Sequence, residues 1–464
     1  MESEPTSGVS PVVSHASSSA SVEDKPSRGR LLQVLGVGFG LAVIIGNTIG
    51  GGIVSTPGKI AAQLPSGWMF ISIWLAGGLY ALLGSLSISE LGTMLPKSGG
   101  QYIFARYAFG DYAGFIVGWS DWISTCGATA FISLVIAQYS GVVFSSLAGQ
   151  TKPVAMAVVI FFAVLQWRGI QWGRSTQNIS SLLKALAFGV LIVFCFALGG
   201  GGHTASTAAV VEPPRGFALF VAIIISLQAV IYTYDGWTGA IYFSEEVTTP
   251  SRNIPRSTLG GVLAVIAIYV LINLATLSVL PISEIAGSDL ALGKAASVIF
   301  GARGDLIFRS VMIVSMLSAV NACQLMASRV LFAMSRDNLF FAKAAESNPG
   351  GTPTFALLLG AIVALLFIAT GTVDQVLAVT AFFFVVMYTM SFAAVFLLRR
   401  REPDKPRPYR TPGFPWTTGT SLVGSIAFLA GAVASDTQNS IYALIILGVS
   451  GPTYLILKRV TRTT

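Results

Sequence analysis

Along this chain polar and apolar positions do not alternate at a short period. Long apolar stretches follow one another, separated by brief polar connections. An apolar run of about 18 residues or more predicts a membrane-spanning helix. Twelve such stretches stand out, centred near Val43, Trp74, Ile123, Ile160, Ala187, Ser226, Ile268, Met316, Val363, Val385, Phe428 and Ile446. A large soluble core would need helices with a polar face, whereas helices apolar all round are core or membrane elements. The pattern predicts an all-α polytopic membrane protein with twelve transmembrane helices.

Two of these stretches are interrupted. Leu31 to Ile45 reads as apolar helix, Gly46-Asn47-Thr48-Ile49-Gly50-Gly51-Gly52-Ile53 breaks it, and Ile53 to Leu64 resumes it. The hydrocarbon core holds no water to satisfy free backbone amides. Glycines beside an Asn at mid-depth therefore predict a discontinuous helix whose freed N–H groups face a ligand. The sixth stretch carries a matching break, Tyr232-Thr233-Tyr234-Asp235-Gly236-Trp237-Thr238-Gly239. The breaks lie five spans apart. Five is odd, so a second five-span unit enters the membrane from the opposite side, giving a 5+5 inverted repeat. The expected organisation is a polar tail over 1–30, a first repeat over 31–200 and a second over 215–400. A basic Pro-rich loop over 401–417 and two further helices over 418–464 complete it. Paired breaks of this kind point to the substrate site of a transporter.

Composition agrees with this reading and removes others. Only 10% of residues are charged and 53% are hydrophobic, against about 25% charged in soluble domains. The net charge of +8 comes from connections on one side, above all Arg399, Arg400, Arg401, Lys405, Arg407 and Arg410. Short loops rich in Lys and Arg mark the cytoplasm, so both termini are expected there and no nucleic-acid partner is implied. The Ser-rich segment 1–30 lacks the apolar core of a signal peptide and reads as a disordered cytoplasmic tail. Cys126, Cys195 and Cys323 all fall inside spans, so no extracellular disulfide is expected. His15 and His203 fall outside them, which excludes haem ligation by histidine. With no metal cluster, no Ser–His pairing and no soluble catalytic domain, neither an enzyme nor a cofactor is expected.

Several segments, in order, resemble one family. Ile49-Gly50-Gly51-Gly52-Ile53 is similar to the first-span glycine signature of the amino acid–polyamine–organocation (APC) superfamily. Tyr234-Asp235-Gly236-Trp237, Ser244-Glu245-Glu246 and Pro250 to Arg256 resemble its L-type amino acid transporter branch, in a prokaryotic-like form. Leu95 to Tyr102, Ser328 to Asp337, and Arg401-Glu402-Pro403 through Pro408-Tyr409-Arg410 match as well. The resemblance implies the LeuT-like fold and a multi-pass permease of the plasma membrane. It implies sodium-independent exchange or proton-linked uptake of L-amino acids by alternating access. Polyamine or cationic amine transport is the alternative within the superfamily. The family usually has Ser or Ala where this chain has Gly51. Lys184 resembles a lysine whose ammonium stands where related transporters bind sodium. Animal relatives attach a heavy subunit through a cysteine in the loop between spans three and four. The corresponding Phe144 to Lys152 has none, so no disulfide-linked heavy subunit is expected.

The substrate chemistry follows from what an amino acid loses on leaving water. Amides at Gly50, Gly51 and Gly52, with Thr48 and Ile49 before them, supply donors and a helix dipole for the carboxylate. Carbonyls of Tyr232, Thr233 and Asp235, freed by the second break, are the expected acceptors for the ammonium. Tyr234, Gly236 and Trp237 complete the second candidate set, the aromatics as walls or gates. A charged group at mid-span costs on the order of 3 kcal/mol, which makes Asp235 a functional candidate, for substrate contact, for orienting neighbouring helices, or in protonated form. Glu90, Glu245, Glu246, Arg252 and Arg256 lie at span ends and are candidate gate charges.

Overall fold

The computed structural model describes residues 31–199, 212–288, 290–370, 373–435 and 437–463. The expected tail and both histidines lie outside the described residues. What is described is helical apart from loops and one isolated backbone bridge. The first elements are α1 (Val37–Thr48), α2 (Gly52–Gln63), α3 (Gly67–Met94), α4 (Gln101–Phe109), α5 (Asp111–Val143), α6 (Thr151–Trp167), α7 (Ile170–Leu198) and α8 (Phe217–Thr233). They are followed by α9 (Pro250–Val279), α10 (Ile282–Ile285), α11 (Ala291–Phe300), α12 (Gly304–Arg336), α13 (Thr354–Thr370), α14 (Val373–Arg401), α15 (Trp416–Ser435) and α16 (Thr437–Thr463). Among the described residues, eight helical spans are long and apolar enough to cross a membrane. A ninth joins them when α1 and α2, bent by 48°, count as one. The apolar helices α6, α8 and α13 are shorter, at 17 residues each.

On α7 the outward face is apolar and the polar groups are turned inward. Leu182, Leu183, Leu186 and Val190 are exposed, whereas Gln177, Ser181, Lys184 and Phe188 are buried. Positions three and four apart share one helix face, so this face turns its polar groups into the protein and leaves hydrocarbon to the lipid. α12 packs along α5, α3 along α9, and α1 against α7, α9 and α12. Lipid tails are as apolar as leucine, so helix association relies on close packing, small residues and hydrogen bonds. Gly46 illustrates the requirement. A Cβ there would lie 2.0 Å from Gln177 Nε2 and 2.5 Å from both Ser181 Oγ and Ser318 Oγ.

The first broken span starts later than its hydrophobicity suggests. The chain enters α1 at Val37 rather than Leu31, because the Leu35 backbone pairs elsewhere. Leu35 N–H donates to Glu246 O at 2.9 Å, and Thr248 N–H donates to Leu35 O at 2.8 Å. The entrance of the first broken span is thereby tied to the exit of the second. At its far end α1 stops because Ile49 turns extended, at φ −77° and ψ 94°. The second break is not a kink between two α-helices. After α8 the chain turns at Gly236, whose φ of +106° favours glycine, and continues as a 3₁₀ turn over Gly239–Phe243.

Candidate functional site

Where α1 hands over to α2, the chain lines a cavity of about 60 Å³. Gly50, Gly51 and Gly52 form one side, with Asn47 and Thr48 before them. These glycines precede the first bonds of α2, which Val54 and Ser55 make to Gly51 O, and early helix amides have no intrahelical acceptor. A Cβ on Gly50 would meet no protein atom within 4 Å, so the backbone is bare toward the cavity. Thr48 Oγ1 is buried without a hydrogen-bond partner among the described residues. Tyr232, Thr233 and Asp235 line the opposite side. Thr125 and Phe131 of α5, Cys323 and Met326 of α12, and Phe384 of α14 complete the wall. The arrangement sets donors at a helix N-terminus against a carboxyl, a thiol and hydroxyls.

Of the sequence-derived candidates, Thr48, Gly50, Gly51, Gly52, Tyr232, Thr233 and Asp235 meet at this cavity, and the others do not. Ile49 is fully buried behind the break. Tyr234 turns toward α3 and donates to Trp74 O at 3.2 Å. Trp237 packs at 4.9 Å from the Tyr388 ring and parallel to Phe392. Gly236 backs onto α1, where a Cβ would lie 2.8 Å from Asn47 Nδ2. An unwound turn directs successive residues to different sides, so sequence adjacency did not translate into a shared lining. The expected free carbonyls are also partly engaged. Tyr232 O accepts from Asp235 N–H at 3.0 Å, and Thr233 O accepts from Tyr269 at 3.1 Å. The Asp235 carboxylate accepts from Tyr388 OH.

Two side chains fix the breaks from behind. Lys184 Nζ, on the buried face of α7, donates to Gly46 O at 2.7 Å and Ile49 O at 2.5 Å. Ser315 Oγ also donates to Ile49 O, at 3.3 Å. Lys184 Nζ thus caps the carbonyl end of α1, where helix carbonyls lack intrahelical partners. Tyr269 OH reaches Thr48 O at 2.7 Å and Thr233 O at 3.1 Å, joining both breaks through one hydroxyl. Thr56 and Thr233 hydroxyls add a 2.7 Å contact. Tyr269→Phe should lower thermal stability by about 1 kcal/mol, the net worth of one such hydrogen bond, and raise the KM for substrate. A variant matching the parent in melting and KM would remove Tyr269 from the site's framework.

The charged residues near the span ends form separate ion pairs. Glu246 and Arg329 are fully buried and make a bidentate pair at 3.0 and 3.1 Å. Glu245 is held by Arg336 at 2.7 and 2.8 Å. Glu90 binds Arg399 at 2.9 and 2.5 Å, Arg407 at 3.3 Å and the Thr411 N–H at 2.7 Å. Asp337 takes Arg106 at 2.7 Å and Tyr102 OH at 2.9 Å. Arg252 and Arg256 are exposed and make no ion pair among the described residues. Partners for the three glutamates come instead from α12, α14 and the loop beyond it.

A family model described as amino acid permease matches residues 39–450, nearly the whole chain. The chain belongs to the amino acid permease family. The permease is 31% identical to the serine/threonine exchanger SteT of Bacillus subtilis over 438 residues, covering 92% of this chain and 98% of that protein. It is 25% identical to the human b(0,+)-type amino acid transporter 1, covering 91% and 87% respectively. It is also 27% identical to the mouse large neutral amino acids transporter small subunit 2, covering 85% and 76%. The resemblance read from the motifs is thus shown, and the relatives are transporters rather than enzymes. Several residues of the permease went unnoticed in the sequence. Asp121 is a buried carboxyl in α5 whose Oδ1 accepts from Tyr242 OH at 2.8 Å and Thr125 Oγ1 at 3.4 Å. The signal that marked Asp235, an acid within an apolar span, applies to it equally. Tyr269 and Tyr388 carry no comparable signal, since a tyrosine in an apolar helix reads as packing.

Proposed function

We propose that this permease exchanges small, polar L-amino acids across the plasma membrane by alternating access, independently of sodium. The observation that carries the reading is the first break. Its amides face a cavity on one side, and its carbonyls at Gly46 and Ile49 are held by Lys184 on the other. An amino acid carboxylate fits the donors and the helix N-terminus. The Lys184 ammonium sits against carbonyls of unwound backbone, which is the chemistry that binds sodium in discontinuous helices. Adding sodium would set two cations together in low dielectric. A cavity confined by Phe131 and Phe384 and lined by Thr48, Thr125, Cys323 and Asp235 favours small side chains that form hydrogen bonds. The name of the Bacillus relative, a serine/threonine exchanger, supports the same substrates.

The wider architecture in this proposal is twelve spans, with the three 17-residue apolar helices crossing as well, in a 5+5 inverted repeat followed by two helices. Both termini face the cytoplasm, since the basic Arg399–Arg410 loop then lies inside. The ion pairs of Glu90, Glu245 and Glu246 bind the cytoplasmic end shut and part on inward opening. Arg252 and Arg256 have no share in that gate. The single chain transports without a heavy subunit. A polyamine reading has one support, the Asp235 carboxyl on the cavity wall. It leaves the glycine amides without an anion.

Uptake of radiolabelled serine into proteoliposomes of the purified chain tests the reading. Uptake should require internal amino acid, persist without sodium and be blocked by threonine but not by its decarboxylated analogue. Dependence on a sodium gradient at fixed pH and fixed internal substrate would overturn it. A pH-gradient requirement would replace exchange by proton-linked uptake. Lys184→Ala should lower the exchange rate at least about tenfold, because two buried carbonyls lose a charged donor worth about 1.5–3 kcal/mol. Unimpaired exchange in that variant would sever the lysine from the mechanism.

A further inference from the structure

At the basic end of α14, the helices α4, α14 and α15 enclose an open groove of about 690 Å³. Phe109, Phe396, Phe414 and Leu422 are among its walls, and Arg399 and Arg400 are its charged lining. The two arginines differ in what they have left to offer. Arg399 is committed to Glu90 at 2.9 and 2.5 Å, and its guanidinium lies 4.0 Å from the Phe414 ring. Arg400 is exposed and makes no hydrogen bond or ion pair among the described residues. An apolar groove therefore opens beside one uncommitted cation.

The surrounding residues fix its depth. Trp416, which begins α15, is 82% exposed, and Tyr107 of α4 is 42% exposed. Exposed Trp and Tyr on a membrane protein gather at the boundary between hydrocarbon and headgroups. A soluble anion could use Arg400 but would gain nothing from phenylalanine walls, and a neutral hydrocarbon would leave the guanidinium unmatched. The neighbouring charges lean one way: Arg399, Arg400, Arg401, Lys405, Arg407 and Arg410 against Glu402 and Asp404. Of those two acids, Glu402 is engaged by Tyr107 OH and Lys405.

We propose that this groove binds an anionic phospholipid, its acyl chain against Phe396, Phe414 and Leu422 and its phosphate on Arg400. The site is separate from the substrate cavity, and its occupant belongs to the bilayer rather than to the transported solutes. Basic pockets between helices take acidic headgroups by the same combination of charge and buried chain.

The test is competition on the delipidated full-length chain in a non-ionic detergent, with equimolar phosphatidylglycerol and phosphatidylcholine, read by native mass spectrometry. The protein should retain phosphatidylglycerol in preference. Arg400→Gln should lower that preference about fivefold, the change expected from about 1 kcal/mol per basic residue at an anionic surface. Arg400→Lys should keep most of it. Arg410→Gln, which removes the same charge from a residue that does not line the groove, should leave the preference close to that of the parent. Leu422→Trp should fill the groove and reduce retention of both lipids. Soluble glycerol 3-phosphate should not compete. Equal retention of the two lipids by the parent, equal losses in Arg400→Gln and Arg410→Gln, an undiminished Leu422→Trp, or displacement by glycerol 3-phosphate would each overturn the proposal.

Discussion

Replacing Gly50 by valine should abolish amino acid exchange while leaving the folded chain in the membrane. The site of the new side chain is open on the protein side, since an added Cβ meets no atom within 4 Å. Gly50 is also absent from the glycines with positive φ, so valine is not strained there. What the side chain fills is the cavity itself. The substrate carboxylate would then stand off from the amides of Gly50, Gly51 and Gly52. A hydrogen bond to a charged group is worth about 1.5–3 kcal/mol, so the loss of two weakens affinity about a hundredfold or more. Gly52→Val is a harsher change of a different kind. Its Cβ would lie 3.1 Å from the Thr233 backbone and side chain, so it should disturb the contact between the breaks as well. Binding of labelled substrate to purified protein, beside its melting curve, separates the two. A Gly50→Val permease that binds and exchanges normally would displace the substrate from this cavity.

Removing one member of the Glu246–Arg329 pair should cost more stability than any other single change at the basic end. Both side chains have zero exposure, and the pair is bidentate. Arg329 adds a bond to Ser328 Oγ at 3.0 Å, and its guanidinium lies 5.4 Å from the Phe243 ring. A buried charge left without its partner typically costs about 3–5 kcal/mol. Arg329→Ala should therefore melt far below the parent. The double change Glu246→Gln with Arg329→Met should recover most of that loss, because no charge is then stranded. The contrast with Glu402–Lys405 is instructive. That pair is at the surface, where such contacts are worth about 0–1 kcal/mol, and Glu402→Gln should leave melting nearly unchanged. Thermal unfolding in detergent of both singles and the double decides the matter. A double variant as unstable as Arg329→Ala would mean that the site needs the charges themselves.

How far the sequence could be read depended on the range of the interaction involved. The apolar stretches were legible because membrane solvation acts on each helix separately, and the chain is helical where it is described. The first break was legible because consecutive glycines are a local signal, and α1 and α2 are separated there by a 48° bend. Its start was misplaced by six residues, from Leu31 to Val37, because hydrophobicity does not report that Leu35 pairs with Glu246 and Thr248. Tyr234 and Trp237 show the same limit. Both flank the cavity-lining Asp235 in sequence, yet one is anchored on Trp74 and the other stacks with Tyr388. The direction of a side chain in an unwound turn is set by distant packing, which a single sequence does not display.

The sequence by itself determined the class of protein, the position of the first break and the family. All of these rest on local composition or on the order of short motifs. The tertiary structure decided which residues around the breaks meet, through partners far away in the chain. Lys184 reaches back to Gly46 and Ile49, and Tyr269 joins Thr48 to Thr233. It also decided how the charges near the span ends combine. Glu90, Glu245 and Glu246 are matched by Arg399, Arg336 and Arg329, not by Arg252 and Arg256 close to two of them in sequence. The physical reason is that a charge or an unwound carbonyl inside a membrane protein must be satisfied, but nothing local says by what. Any donor that the packed helices bring within about 3 Å will serve, and only the packing selects it.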